Sequence, residues 1–146
     1  MAKNIVYFDL ETQKSAEEVG GWANKKEMRF SFGVTYSTRD SVFRPYEEED
    51  IPALIRDLSV ADCVVGFNIL QFDYPVLSGY TDFDFSKIQT VDLLADIYSL
   101  LGFRVGLNNL ARATLQSKKS ADGLAALRWF REGAFAKIAI YCRQDV

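Results

Sequence analysis

A chain of 146 residues, 49% apolar and 25% charged, is the size of one globular domain and can bury a sizeable core. Its net charge of −3 argues against a generic basic nucleic-acid binder, while leaving room for an acidic site whose bound divalent cations reverse the local sign. The absence of histidine removes Ser-His-Asp and Cys-His nucleophile systems and every His-containing zinc site.

No run of about 20 apolar residues occurs, and the apolar start of "MAKNIVYFDLET" is too short for a secretory signal, so a soluble cytoplasmic protein with no membrane span is expected. Cys63 and Cys142 lack metal-type spacing and are expected to be reduced thiols without a chemical role.

In chain order, "KNIVYFDLET" is apolar on both faces, the pattern of a strand in the middle of a sheet with cover on each side. Its period of two puts Asp9 and Glu11 on one face with Tyr7, and Phe8 and Leu10 on the other. "QKSAEEVGGWANKKEM" reads as an irregular loop with room for a short turn of helix. "RFSFGVTYS" and "SVFRPY", separated by "TRD", read as an antiparallel hairpin at a sheet edge. "EEEDIPALIRDLS" carries Pro52 near its first turn and Ile51, Leu54, Ile55 and Leu58 at helical spacing.

"ADCVVGFN" is a short apolar strand running into a loop. "FDYPVLSGY" offers Asp73 as a helix cap, Pro75 in the first turn and Gly79 as the stop. "IQTV" is a further strand candidate. The rest is helical: "VDLLADIYSLLG", "LNNLARATL", "ADGLAALRWFREG" and "AFAKIAIYCRQDV". Strands in the first half, helices in the second and no linker between them describe one mixed α/β domain over residues 1–146.

Two acids at the end of an apolar strand are costly to bury without a cation or several donors, unless the strand ends at Leu10 and both are solvated. In "GFNILQFDYPVL", Asp73 is a cap or a carboxylate aimed outward, and Asn68 orients a ligand or satisfies the turn. Ala134, Ile138, Tyr141 and Asp145 fall on one helical stripe, so Tyr141 and Asp145 face the same neighbour. Asp92 is a cap or a group supporting the site. Lys118 and Lys119 sit in a polar loop, solvated or touching phosphates. Phe67, Phe72, Tyr74 and Phe103 stack on bases or pack in the core, and Trp129 packs on a helix face. The opening strand lacks the Asp-x-Asp-x-Thr of haloacid-dehalogenase phosphatases, and no Gly-rich phosphate loop is present.

The order Asp-x-Glu on a first strand, "GFNILQFD" after a later strand, then Tyr-x-x-x-Asp on a late helix resembles the DEDD superfamily of 3′ to 5′ exonucleases, in its tyrosine branch. The second motif is similar to that of family B DNA polymerase exonuclease domains and of bacterial exonuclease domains of this fold. The resemblance implies a ribonuclease-H-like α/β fold, with a mixed central sheet whose first strands are antiparallel and which helices flank. It implies Asp9, Glu11, Asp73 and Asp145 as metal ligands and Tyr141 as the residue that lines up the attacking water. Asn68, Phe72, Lys118 and Lys119 become candidate substrate contacts.

Four carboxylates in one pocket need about four positive charges, hence two divalent cations, and oxygen-only ligands favour Mg²⁺ or Mn²⁺. The partner implied is the 3′ end of a single nucleic-acid strand, and with it a larger replication or repair protein or an accompanying domain. An idle domain of the same fold that binds nucleic acid or a partner protein is the competing reading. An acid at a helix C-terminus opposes the helix dipole and chain ends fray, so the last helix is expected to be truncated here, or to need metal or a partner to order its end.

Overall fold

The structure, a computed structural model, describes residues 3–104, 106–107 and 123–146, without the side chains of residues 123–125, 135 and 141. Residues 108–115 of the expected helix "LNNLARATL", together with Lys118 and Lys119, lie outside the described residues.

β1 (Ile5–Thr12) is the middle strand of a five-stranded sheet ordered β3-β2-β1-β4-β5. β2 (Phe30–Ser37) pairs antiparallel with β1 and with the edge strand β3 (Val42–Tyr46). On the other side β4 (Cys63–Gly66) runs parallel to β1, and β5 (Thr90–Asp92) parallel to β4. The expected hairpin and mixed sheet are both present.

Val6, Phe8, Leu10 and Thr12 of β1 are buried, and the alternate residues Ile5, Tyr7, Asp9 and Glu11 are half-buried. The buried face meets α1 (Ile51–Ser59), through Ile51, Leu54 and Leu58, and α2 (Tyr74–Leu77), through Val76 and Leu77. Each fully buried Leu or Ile here contributes about 1.5–3 kcal/mol. The turn before α1, Glu48–Asp50, is closed by a reciprocal capping box between Glu47 and Asp50, and Pro52 stands in the first turn of α1 itself.

The second face is covered by α4 (Gly123–Arg131) and α5 (Phe135–Asp145), where Ile138 and Cys142 pack on Phe32 and Val34 of β2. The expected cover on each side of β1 is present, with its second, acid-bearing face only half-buried. α3 (Leu93–Leu101) follows β5 and ends at Gly102, whose φ of 78° is the left-handed conformation glycine supplies. Among the described residues, no helix is long and apolar enough to cross a membrane.

Candidate metal centre

Asp9 and Glu11 share the half-buried face of β1, as the period of two requires. Just past them the β1–β2 register slips: Glu11 pairs with Phe32 but Thr12 with Phe30, leaving Ser31 as the extra residue of a β-bulge. Bulges bend a strand and re-aim its side chains, and this one marks the end of the acid-bearing segment.

β4 reaches its last residue at Gly66, whose added Cβ would lie 2.4 Å from Ile69 Cγ2 and 3.0 Å from the Phe8 carbonyl oxygen. Only glycine lets the chain turn this tightly under β1. Asn68 then takes a left-handed conformation, φ 61°. Its N–H donates to Asp92 Oδ1 at 2.8 Å, and the Leu70 N–H donates to Asp92 Oδ2 at 3.0 Å. Asp92 Oδ1 also accepts the Leu94 and Ala95 N–H groups that open α3. The aspartate is thus the α3 cap and, beyond that role, the clamp of the 68–70 turn.

The turn continues as one π-helical segment, Ile69–Asp73, directly into α2. Such widened turns recur at functional sites because they rotate one residue out of helical register. Here the residue is Asp73. Its cap reading is not realised: its backbone is helical and its side chain makes no cap hydrogen bond. Instead Asp73 Oδ2 accepts the Leu10 N–H of β1 at 3.1 Å. Asp73 is 1% exposed, and burial, then the nearby Glu11 carboxylate, push its pKa well above the ordinary carboxylate range, against the Leu10 N–H.

α5 supplies the third segment. The carboxylate oxygens of Asp9 and Glu11 and the Cys142 sulfur lie within 4.8 Å of one another. The thiol donates to the Asp9 main-chain oxygen at 3.4 Å and approaches its Oδ2 at 3.7 Å. Burial raises the thiol's pKa, and the carboxylates of Asp9, Glu11, Asp145 and Asp73 raise it further. Asp145 is half-buried, with Oδ1 shielded from solvent. Tyr141 precedes Cys142 on α5, and its side chain is outside the described part.

Cys142 is the residue that sequence reasoning set aside. Its signal was spacing: Ile138, Cys142 and Asp145 form a helical stripe as regular as the one drawn through Tyr141. Of the two alternatives open for it, Tyr74 takes the core one. It is 4% exposed, stacked on Phe85 at 4.8 Å and hydrogen-bonded to Thr90, so it is core and not a surface for bases. Phe72 is half-buried, with its ring edge-on to the exposed Trp22 at 6.3 Å. Phe67 is half-buried and Phe103 exposed. Trp129 packs, as expected, against the Phe32–Ile138 cluster. Asn68, Gln71, Tyr98 and Arg104 line a cavity of about 450 Å³ beside the turn that ends in Asp73.

The chain belongs to the RNase_H superfamily: residues 6–146 match its RNase_H_2 family. Among solved structures it is similar to the family B DNA polymerase of the hyperthermophilic archaeon Pyrobaculum calidifontis, with TM-score 0.73 and 14% identity over 100% of this chain and 23% of that one. It is similar also to E. coli Exonuclease I in complex with a dT13 oligonucleotide, with TM-score 0.57 and 13% identity over 90% of this chain and 41% of that one. The zinc-bound form of the E. coli exonuclease complex with single-stranded DNA matches at TM-score 0.57 and 16% identity, over 95% and 40% of the two chains. The chain therefore spans about a quarter of the polymerase and about two fifths of the exonuclease. No curated protein matches it by sequence.

Proposed function

We propose that this chain is a divalent-metal-dependent 3′ to 5′ exonuclease domain of the tyrosine branch, in which Asp9, Glu11, Asp73 and Asp145 hold two Mg²⁺ or Mn²⁺ ions. The observation that carries the reading is the donor group of Asp9, Glu11 and Cys142 at the end of β1, with buried Asp73 hydrogen-bonded to Leu10 between the two acids and Asp145 one turn beyond Cys142 on α5. A buried acid whose neighbour drives it toward its neutral form is a place for a cation, and the oxygen-rich set suits hard ions. When bound, two such ions supply an activated water and stabilise the departing 3′ oxygen.

The chain's own residues do the positioning. β1 fixes Asp9 and Glu11, the Leu10 N–H holds Asp73, and α5 carries Asp145 to the same place. The Tyr141 hydroxyl, with an ordinary pKa of about 10, stays protonated at neutral pH and orients the water rather than taking its proton. Asn68 and Phe72 meet the terminal nucleotide, and Lys118 and Lys119 its phosphates. The substrate is a single strand, a choice supported by the oligonucleotide complexes of the similar exonuclease. A larger replication or repair protein, or an accompanying domain, is the setting we assign to this activity.

Digestion of 5′-labelled single-stranded DNA and RNA with Mg²⁺ or Mn²⁺ tests the reading. The expected result is a ladder shortening from the 3′ end that disappears with chelator and in Asp9→Ala. Shortening that survives both controls, or no cleavage by folded, metal-loaded protein, goes against it.

A further inference from the structure

The segment between β1 and β2, residues 13–29, is fastened at several points. The Gln13 and Lys14 N–H groups donate to the Arg29 and Met28 carbonyl oxygens at 2.8 and 3.0 Å, and Met28 is buried. The Lys26 carbonyl oxygen presses on Gly79, where an added Cβ would lie 2.7 Å from it, and the Lys25 ammonium donates to the Gln71 carbonyl oxygen. A segment held this firmly still leaves its largest side chain in water: Trp22 is 64% exposed. Its ring stands at 65° to that of Phe72, the residue before Asp73, with the two centroids 6.3 Å apart. The indole is therefore steadied beside the acid-bearing turn without being buried by it. Around it the stretch 22–29 carries three cations, Lys25, Lys26 and Arg29, and one anion, Glu27, so it is locally basic on a chain of net charge −3. An open aromatic face on a rigid, locally basic support is the chemistry that holds the bases of a single strand.

We propose that Trp22 is a stacking platform for single-stranded nucleic acid, taking the face of one base among the last three nucleotides while Phe72 meets the terminal one. The proposal rests on the exonuclease reading above and extends the strand's path onto residues 13–29, which hold none of the four carboxylates assigned to the metals. Every base has a π-face, so the contact tolerates any sequence. It acts on binding alone: without it the KM for a strand rises, while kcat at saturating strand is unchanged.

Trp22 reports on itself, because Trp129 is the only other tryptophan and Trp129→Phe leaves a single indole. The probe is a short oligothymidine whose 3′ linkages are hydrolysis-resistant phosphorothioates, added with Mn²⁺, beside the same strand lacking its last three bases. The expected result is quenching of indole emission by the intact strand, in wild type and in Trp129→Phe, and little quenching by the abasic one. Trp22→Ala should weaken the intact strand by about fivefold to a hundredfold, the range for one base–aromatic stack, and leave affinity for the abasic strand unchanged. Trp22→Phe should recover part of the loss. A strand that binds with Trp22 emission unchanged, or a Trp22→Ala variant that weakens intact and abasic strands alike or neither, overturns the proposal and leaves the exonuclease reading standing. Folded protein with Mn²⁺ that binds no strand overturns both. The quenching test alters nothing at Trp22, so a Trp22 substitution that fails to fold does not shield the proposal.

Discussion

Asp73 accepts the main-chain N–H of Leu10 at 3.1 Å, across 63 positions of sequence, and so ties the turn after β4 to the strand between Asp9 and Glu11. This bond sets one carboxylate of the site against the strand that carries two others, in a pocket where Asp73 is almost wholly buried.

The burial has a signed consequence for pH. Asp73 binds its proton more tightly folded than unfolded, so its contribution to stability is fully present below the ordinary value of 3.8 and is lost as pH rises through the raised folded value. In metal-free protein the Asp73 contribution to thermal stability should therefore fall as pH climbs above 3.8. Asp73→Asn, which still offers an oxygen to Leu10, should flatten that profile. Thermal melts in chelator across pH, for both proteins, check this, and parallel profiles would count against it.

Asp92 holds four N–H groups, two in the 68–70 turn and two at the start of α3. Asp92→Ala removes a cap worth about 0.5–2 kcal/mol and leaves the two part-buried donors of the 68–70 turn without an acceptor at about 1 kcal/mol each, so a loss of about 2.5–4 kcal/mol is expected. Asp92→Asn should recover part of it. Denaturant midpoints measure both, and a loss for Asp92→Ala within about 0.5 kcal/mol of zero, the range of ordinary surface changes, contradicts the clamp.

Gly66→Ala brings a methyl to 2.4 Å from Ile69 Cγ2, a residue with no exposed surface, and to 3.0 Å from the Phe8 carbonyl oxygen. Overpacking of this kind costs about 1–3 kcal/mol. Because Ile69 opens the turn that ends in Asp73, cleavage should fall along with stability. Unchanged stability in calorimetry would show that the turn relaxes freely.

The parts of this molecule legible from sequence are those set by local period. Alternation placed Asp9 and Glu11 on one face of β1, and Ile51, Leu54 and Leu58 pointed α1 inward. What stayed hidden depends on how segments meet. Asp73 reads locally as a cap, and only the early end of β4 and the π-helical turn aim it at Leu10. The same turn buries Tyr74, which local sequence left open to stacking. Gly79 reads as a helix stop, but its φ is not left-handed; a Cβ there would sit 2.7 Å from the Lys26 carbonyl oxygen, so close approach of another loop requires glycine. Cys142 was passed over because thiol spacing along the chain says nothing about carboxylates that arrive from β1.

Tyr141→Phe separates positioning from ligation. Loss of the hydroxyl should slow cleavage by about a hundredfold, the cost of a nucleophile held about 1 Å out of place, while metal affinity stays as in the wild type. Single-turnover rates beside Mn²⁺ titrations distinguish this from a tyrosine that only packs, for which the rate would be unchanged.

The most direct measurement is Mn²⁺ binding to metal-free protein, followed by the electron-spin signal of the free ion, for wild type and for Asp9→Ala, Asp73→Asn and Asp145→Asn. Two ions per wild-type chain, with affinity lowered by at least about a hundredfold in each variant, the upper end of what loss of a merely supporting group costs, is the expected result. Folded wild-type protein that binds no Mn²⁺, or variants that bind it as the wild type does, would show that these four carboxylates are not a metal centre.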